Sequence, residues 1–357
     1  MSVDISVVVA THNQMERLRL VLYGLTCQRF PKECFEVIVV DDGSSDGTDE
    51  MLTALAQKQD IQIVSLRPNM GRCLARNAGV ERARGELVAF LDGDALPHPA
   101  WLARLWEAWE QGKHARYLCG FMYSLPLLEY LPNPQQAVFD EKHTPSVLAD
   151  FLLIKSDRVL VTEHQIRNDF ASIHTRAQEG GYPFAELKTV QDQVAELYVV
   201  HPDSPIGFLG FYPHNSAVPR QAFLDVGSFA AHIPFSEGWD LAYRLQQAGV
   251  LPDFVRKAFT YHLYHYHEFS DPSKLNDEQR KRIAAVAYMV QQNRNPKLWL
   301  IELWRAGIWQ DPFVPEELIL RDLVHFHQCY QQITPSEIAE IEILLTRHPL
   351  WKTYTAT

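Results

Sequence analysis

The sequence predicts an α/β protein with a mostly parallel central sheet flanked by helices, an inserted segment, and a C-terminal helical region. Three observations carry this expectation. Short β-branched runs alternate strictly with helix-spaced segments in the N-terminal third, which implies right-handed crossovers. Each run ends in polar residues, and ligands of such sheets bind beyond the carboxyl ends of their strands. From about residue 271 the apolar spacing is helical throughout.

Taken in order, Ile5 to Thr11 reads as a strand buried on both faces, and Asn13 to Cys27 as a helix through Leu18, Val21, Leu22 and Leu25. Phe35 to Val40 is a second strand, Thr48 to Gln57 a helix, Ile61 to Leu66 a third strand, Gly71 to Ala83 a helix, and Glu86 to Leu91 a fourth strand. Pro99 to Gln111 is a helix whose tryptophans are spaced as core. Between Tyr117 and Asp203 periodicity weakens and prolines recur. That stretch reads as an insertion over the cleft, helical from Val147 to Leu160, with Gly180 and Gly181 as a turn or hinge. Regular structure resumes with a short strand at Asn215 to Val218, a helix from Pro219 to Val226, and a helix from Ser236 to Ala248 with Ser236 as N-cap and Gly249 as stop. Phe254 to Tyr266 leads into an aromatic and histidine-rich run, Tyr261 to His267, which if extended puts His265 and His267 on one side and His262 on the other. Helices follow at Asp277 to Gln292, Lys297 to Trp309 and Pro315 to Gln332, then one opened by the capping box Thr334-Pro335-Ser336-Glu337. They close a flank of the sheet or mediate self-association. The division expected is 1–116, 117–205, 206–270 and 271–357.

Bulk properties narrow the function. A net charge of -11 argues against general binding to nucleic acid, and an anionic substrate would need local help such as a metal. With no leader pattern and no run of about 18 apolar residues, no transmembrane segment is expected, and a cytoplasmic location is. The 5 cysteines (Cys27, Cys34, Cys73, Cys119 and Cys329) show no metal spacing and read as reduced thiols.

Four polar sets end the four strands: Thr11-His12-Asn13, Asp41-Asp42, Arg67-Pro68-Asn69 and Asp92-Gly93-Asp94. The last reads as a station for a divalent cation and a diphosphate, because hard cations take oxygen ligands. Its plainer alternative is an ordinary Asp-Gly turn.

Together with the frame Ala-Arg-Asn-Ala-Gly at 75–79, these four motifs in this order resemble a family 2 glycosyltransferase of the GT-A fold, densely over roughly the first 110 residues and again from Asn215 to His262. The resemblance implies transfer of a sugar from a nucleotide sugar, a UDP-sugar above all, to an acceptor, with inversion and a metal (Mn²⁺ or Mg²⁺) assisting the leaving group. It implies Thr11, Asn13 and Asp42 beside the nucleoside, Asp41 as the weaker carboxylate there, and Asn69 and Arg76 on the nucleotide side. Asp94 is the implied metal ligand, Asp92 lies nearer the ribose or donor sugar, and His262 completes the metal site, with His265 as alternative. The acceptor half departs from the pattern, since Gly238 stands where inverting relatives carry the aspartate base. Glu237 or Asp240 is the base by a small shift, or the acceptor is a thiol needing none, or both acids only complement the helix N-terminus. Glycan, lipid, small-molecule and peptide acceptors stay open. A binding protein of the same fold without turnover is the alternative function; a dinucleotide-dependent oxidoreductase is disfavoured, for no Gly-x-Gly-x-x-Gly turn follows the first strand.

Overall fold

The computed structural model describes residues 3–112, 115–125, 161–180, 185–233, 235–263, 275–309 and 311–350. An 8-stranded sheet runs through it in the order β3-β2-β1-β4-β7-β6-β8-β5. These strands are β1 (Ile5–Thr11), β2 (Phe35–Asp42), β3 (Ile61–Leu66), β4 (Leu87–Asp92), β5 (Ala95–Pro97), β6 (Arg116–Leu125), β7 (Asn215–Pro219) and β8 (Leu251–Leu263). Pairing is parallel from β3 through β4 and between β6 and β8; only β7 and β5 run against the rest.

The continuous apolar runs of β1, β2 and β4 are explained by helices on both faces. Val8, Ile38, Val40, Val88 and Phe90 enter one core cluster, while Val7, Val9, Val37, Val39 and Ala89 enter the other. Helices α1 (Met15–Thr26), α2 (Thr48–Ala56), α3 (Arg72–Arg82) and α4 (Trp101–Gln111) fill the N-terminal half within a residue or two of expectation. The register sets Thr11 opposite Asp41 and Ala10 opposite Asp92, so the polar strand ends form one row. A Cβ on Gly93 would lie 2.8 Å from Thr11 Oγ1, and glycine there lets the two strand ends close up.

Several expectations are corrected. Residues 116–125, expected to open an irregular insertion, form a long sheet strand with a register shift at Gly120/Phe121. The shift interrupts the alternation by which a strand is recognised. Helices α5 (Glu163–Asn168), α6 (Phe170–Gly180) and α7 (Ala185–Val200) follow, where little regular structure was expected. The expected helix at 147–160, and Gly181 with it, lie outside the described residues, as do His265 and His267. After α8 (Arg220–Asp225) comes α9 (Glu237–Gln247); Ser236 precedes it in a left-handed conformation (φ 56°) with no side-chain cap bond, contrary to the capping role expected. The expected helix 315–332 is a short 3₁₀ turn at Glu316–Leu318 followed by α12 (Leu323–Gln332, after α10 and α11 below), capped by Asp322 onto the His325 N–H.

The C-terminal helices α10 (Leu275–Asn293), α11 (Leu300–Trp309), α12 and α13 (Pro335–Thr346) pack into the first core. Trp304 reaches Trp239 of α9 (ring centroids 6.1 Å), so this region closes the flank of the sheet. No helix among the described residues is long and apolar enough to cross a membrane.

Candidate active site

A cleft of about 530 Å³ opens beyond the carboxyl ends of β1, β2 and β4. Its lining joins Thr11, His12, Gln14, Asp42, Asn69, Arg72, Cys73, Arg76, Asp92 and Asp94 with Ile233, Phe235, Asp277 and Lys281 from the C-terminal part of the chain.

The β1–β2 end of the cleft is built on carboxylates that organise backbone. Asp42 accepts from the Met70 N–H through Oδ1 (2.7 Å) and from the Gly71 N–H through Oδ2 (2.8 Å), while Asn69 Nδ2 donates to the Asp42 carbonyl (2.9 Å). The loop after β3 is thereby tied to the end of β2. Asp41 is fully buried, accepting from the Ser44 N–H and from Arg67 Nη2, and does not line the cleft. Asn13 is likewise turned to its own loop: with φ 52°, its Oδ1 accepts from the Ser45 N–H (2.8 Å). Thr11 does face the cleft, and its Oγ1 is buried without a hydrogen-bond partner.

At the end of β4 the two aspartates have different surroundings. Asp94 is buried; its Oδ2 accepts from Gln14 Nε2 (3.0 Å) and stands 3.7 Å from His262 Nε2. The short β5 brings His262 there, pairing Ala95 with His262 across to β8. Asp92 takes a 2.7 Å bond from Arg76 Nη2 and keeps a side chain 30% exposed. Among the described residues no three His, Cys, Asp or Glu side chains are arranged as a metal cage. What does converge is one carboxylate, an oxygen donor of the kind Mn²⁺ or Mg²⁺ takes, with one imidazole beside it.

Arg76 is the cross-link of the site. Its guanidinium, buried over the Phe229 ring, bonds Asp92 on one side and Glu237 Oε1 on the other, each at 2.7 Å. Burial works against its charge, but the two carboxylates more than offset this and raise its pKa above the ordinary arginine value. Arg72, one turn earlier, forms an ion pair with the same Glu237 oxygen, Nε to Oε1 2.9 Å. Burial pushes the Glu237 carboxyl up; Arg72 and Arg76 outweigh it and leave the group below the usual carboxylate value.

That arrangement bears on the expected base. Neither Glu237 nor Asp240 lines the cleft; Asp240 Oδ2 takes both Nε (3.0 Å) and Nη2 (2.7 Å) of Arg244, whose fork also holds the carbonyls of Val226 and Ser228. Position 238 has a steric reason to be glycine, for a Cβ there would meet Pro213 Cδ at 2.7 Å and the Phe211 carbonyl oxygen at 2.9 Å. Asn215 is structural: buried, it accepts from Trp101 Nε1 and donates to the Phe121 and Ala258 carbonyls.

Sequence reasoning named His12 only as a member of the first polar set, and missed Gln14, Arg72, Phe235 and the Asp277–Lys281 pair. Arg72 alone had a signal, since it precedes Arg76 by four residues on one helix face. It also missed His214, whose Nδ1 is buried without a partner and whose pKa burial pushes down to about 4, with Asp92 and Asp94 pulling it up and His262 and Arg76 pulling it down.

A cleft at the switch of a mostly parallel sheet, with two aspartates at its rim and an arginine cross-link behind, defines an α/β protein of the GT-A type. Residues 6–155 match the family model described as glycosyl transferase family 2. The N-terminal part of the chain is thus similar to glycosyltransferase family 2, on a match confined to those residues. Glycosyltransferase AglE of Haloferax volcanii is 40% identical over 101 residues, 28% of this chain and 33% of AglE, so the match spans about a third of that relative. The uncharacterized glycosyltransferase YfnE of Bacillus subtilis is 29% identical over 317 residues, 87% of this chain and 75% of YfnE. Among solved structures, the mannosyltransferase PcManGT from Pyrobaculum calidifontis, in complex with GDP-Man and Mn²⁺, aligns with TM-score 0.54 at 14% identity over 99% of this chain and 84% of its own. S. aureus TarS 1-349 with UDP-GlcNAc aligns with TM-score 0.51 at 16% identity over 99% and 91%. At such identities the likeness is one of fold.

Proposed function

We propose that this protein is an inverting glycosyltransferase that moves a sugar from a nucleotide sugar, with uridine diphosphate as leaving group, to an acceptor. The observation that supports it best is the convergence of Asp94, His262 and Gln14 beside an Asp92–Arg76–Glu237 chain in one cleft. PcManGT binds GDP-Man with Mn²⁺ and TarS binds UDP-GlcNAc on the same fold.

In this reading Thr11 Oγ1 gains a ligand hydroxyl or phosphate oxygen as partner, and Asp42 meets the base while fixing the Asn69–Gly71 loop against it. Asp92, held from behind by Arg76, keeps a lone pair for a sugar hydroxyl. Asp94 and His262 would hold a divalent cation, which would supply positive charge to offset the negative charge developing on the departing diphosphate. Glu237 serves as the anchor that aims Arg76 and Arg72, and Asp240 as the anchor for Arg244. Asp41 and Asn13 shape the loops around the nucleoside.

A thermal melt against uridine, guanosine and adenosine diphosphates, each with and without Mn²⁺, tests the donor site. A ligand at 100 times its Kd adds about 2.7 kcal/mol to native stability. Failure of all three to raise the melt would sink the assignment. Gly238 favours a second reading, a nucleotide-sugar-binding protein without turnover; tight uridine diphosphate binding with no sugar released from any donor would establish it.

A further inference from the structure

Resting on the transfer reading, we propose that Asp277, in the first turn of α10, is the catalytic base, occupying the role that position 238 has no room to supply. Among the described residues, the other acids near the cleft already have partners. Asp42 carries the Met70 and Gly71 N–H groups at the nucleoside end, Asp92 is paired with Arg76 and, in the transfer reading, with a hydroxyl of the donor sugar, and Asp94 faces Gln14 and His262. Glu237 is closed between Arg72 and Arg76, with side chains only 8% and 5% exposed for Glu237 and Arg76. Asp240 lies outside the lining in its fork with Arg244.

Asp277 lines the cleft and is exposed. Its bond to Lys281, one turn on at 2.9 Å, joins side chains 57% and 46% exposed, and such a surface pair is weak and readily exchanged for another partner. The Phe235 ring, itself in the cleft lining, links α10 to α3, with the guanidinium carbon of Arg282 4.5 Å and that of Arg72 5.3 Å from its centroid. Two other lining groups do not serve. His12 sits at the nucleoside end against Asn13 Nδ2 (3.1 Å), and burial pushes the Cys73 thiol up to about 11.

In the step, an acceptor O–H gives its proton to an Asp277 carboxylate oxygen while the acceptor oxygen bonds to the anomeric carbon. The bond from that carbon to the diphosphate oxygen breaks, and its electron pair leaves on the diphosphate. The carboxylic acid then returns its proton to solvent.

The acceptor is not needed to test this, because water can replace it. Release of uridine diphosphate from UDP-glucose, UDP-galactose and UDP-N-acetylglucosamine is followed with Mn²⁺ in wild type, Asp277→Asn and Asp277→Glu, with and without sodium azide, a nucleophile that has no proton to lose. The expected result is a loss of about 10²-fold or more in kcat for Asp277→Asn in water. Uridine diphosphate affinity and melting temperature stay unchanged, azide restores turnover, and Asp277→Glu recovers part of it. Asp277→Asn turnover within about threefold of wild type, a loss that azide does not relieve, or a wild type that binds uridine diphosphate without turnover each overturns the inference and leaves the donor site standing. A wild type that binds no nucleotide overturns the donor reading itself.

Discussion

Replacing Arg76 by methionine tests the cross-link on which the cleft is built. Breaking a buried ion pair from one side costs about 3–5 kcal/mol, mostly from the charge left unpaired. Glu237 would keep Arg72 at 2.9 Å, and Asp92, 30% exposed, would regain water, which places the cost near the lower end, about 3 kcal/mol. With unfolding entropy of about 2.1 cal/mol/K per residue over 357 residues, this corresponds to roughly 4 °C in melting temperature. The pH dependence has a definite sign. The folded Glu237 pKa is depressed, so its ion pairs stabilise above the unfolded carboxylate value, about 4.3, and that stability is lost as pH falls through the folded value. The gap between wild type and Arg76→Met is therefore widest near neutrality and narrows at acid pH. Pairing the change with Glu237→Gln should recover part of the loss, a coupling of about 1–3 kcal/mol in a denaturant double-mutant cycle. A variant melting within 1 °C of wild type (an estimate well under the roughly 4 °C above), or strict additivity in the cycle, would refute the reasoning.

Three further outcomes are expected. Gly238→Ala places a Cβ 2.7 Å from Pro213 Cδ and 2.9 Å from the Phe211 carbonyl oxygen, and should cost about 1–3 kcal/mol by thermal denaturation; Gly238→Asp should lose at least as much and gain no turnover. Asp42→Asn sets an amide NH₂ against one of two backbone N–H donors, so uridine diphosphate Kd measured by calorimetry should rise about 10-fold or more, the equivalent of one lost charge-assisted hydrogen bond. Glu36 is buried, which raises its carboxyl pKa, but the Ser6 hydroxyl and Arg84 lower it to a net depression; Glu36→Gln should destabilise at pH 7, with the difference shrinking as pH falls through the carboxylate range in urea titrations.

Thr11, Asp42, Asn69, Arg76, Asp92 and Asp94 were legible as cleft residues because all end or follow parallel strands or lie early in the helix after one, and position along a parallel strand fixes which end of the sheet a residue reaches. Asp41 shows the limit of that logic. It is adjacent to Asp42, and strand alternation turns it away from the cleft toward Ser44 and Arg67. Glu237 and Asp240 show a different one: their place in the first turn of α9 was visible, but not the arginines that occupy them.

The sequence by itself determined the order of strands and helices in the N-terminal half and the row of polar residues at the strand ends, since both follow from local apolar periodicity and backbone direction. Only the tertiary structure decided which of those polar groups meet. Gln14 reaches Asp94 across 80 positions and Arg76 reaches Glu237 across 161, contacts made by packing and register that leave no trace in local pattern. The same holds for β6, whose pairing with β7 and β8 joins distant segments, and for Gly238, whose lack of a side chain is explained by Pro213 and Phe211 pressing against it in space.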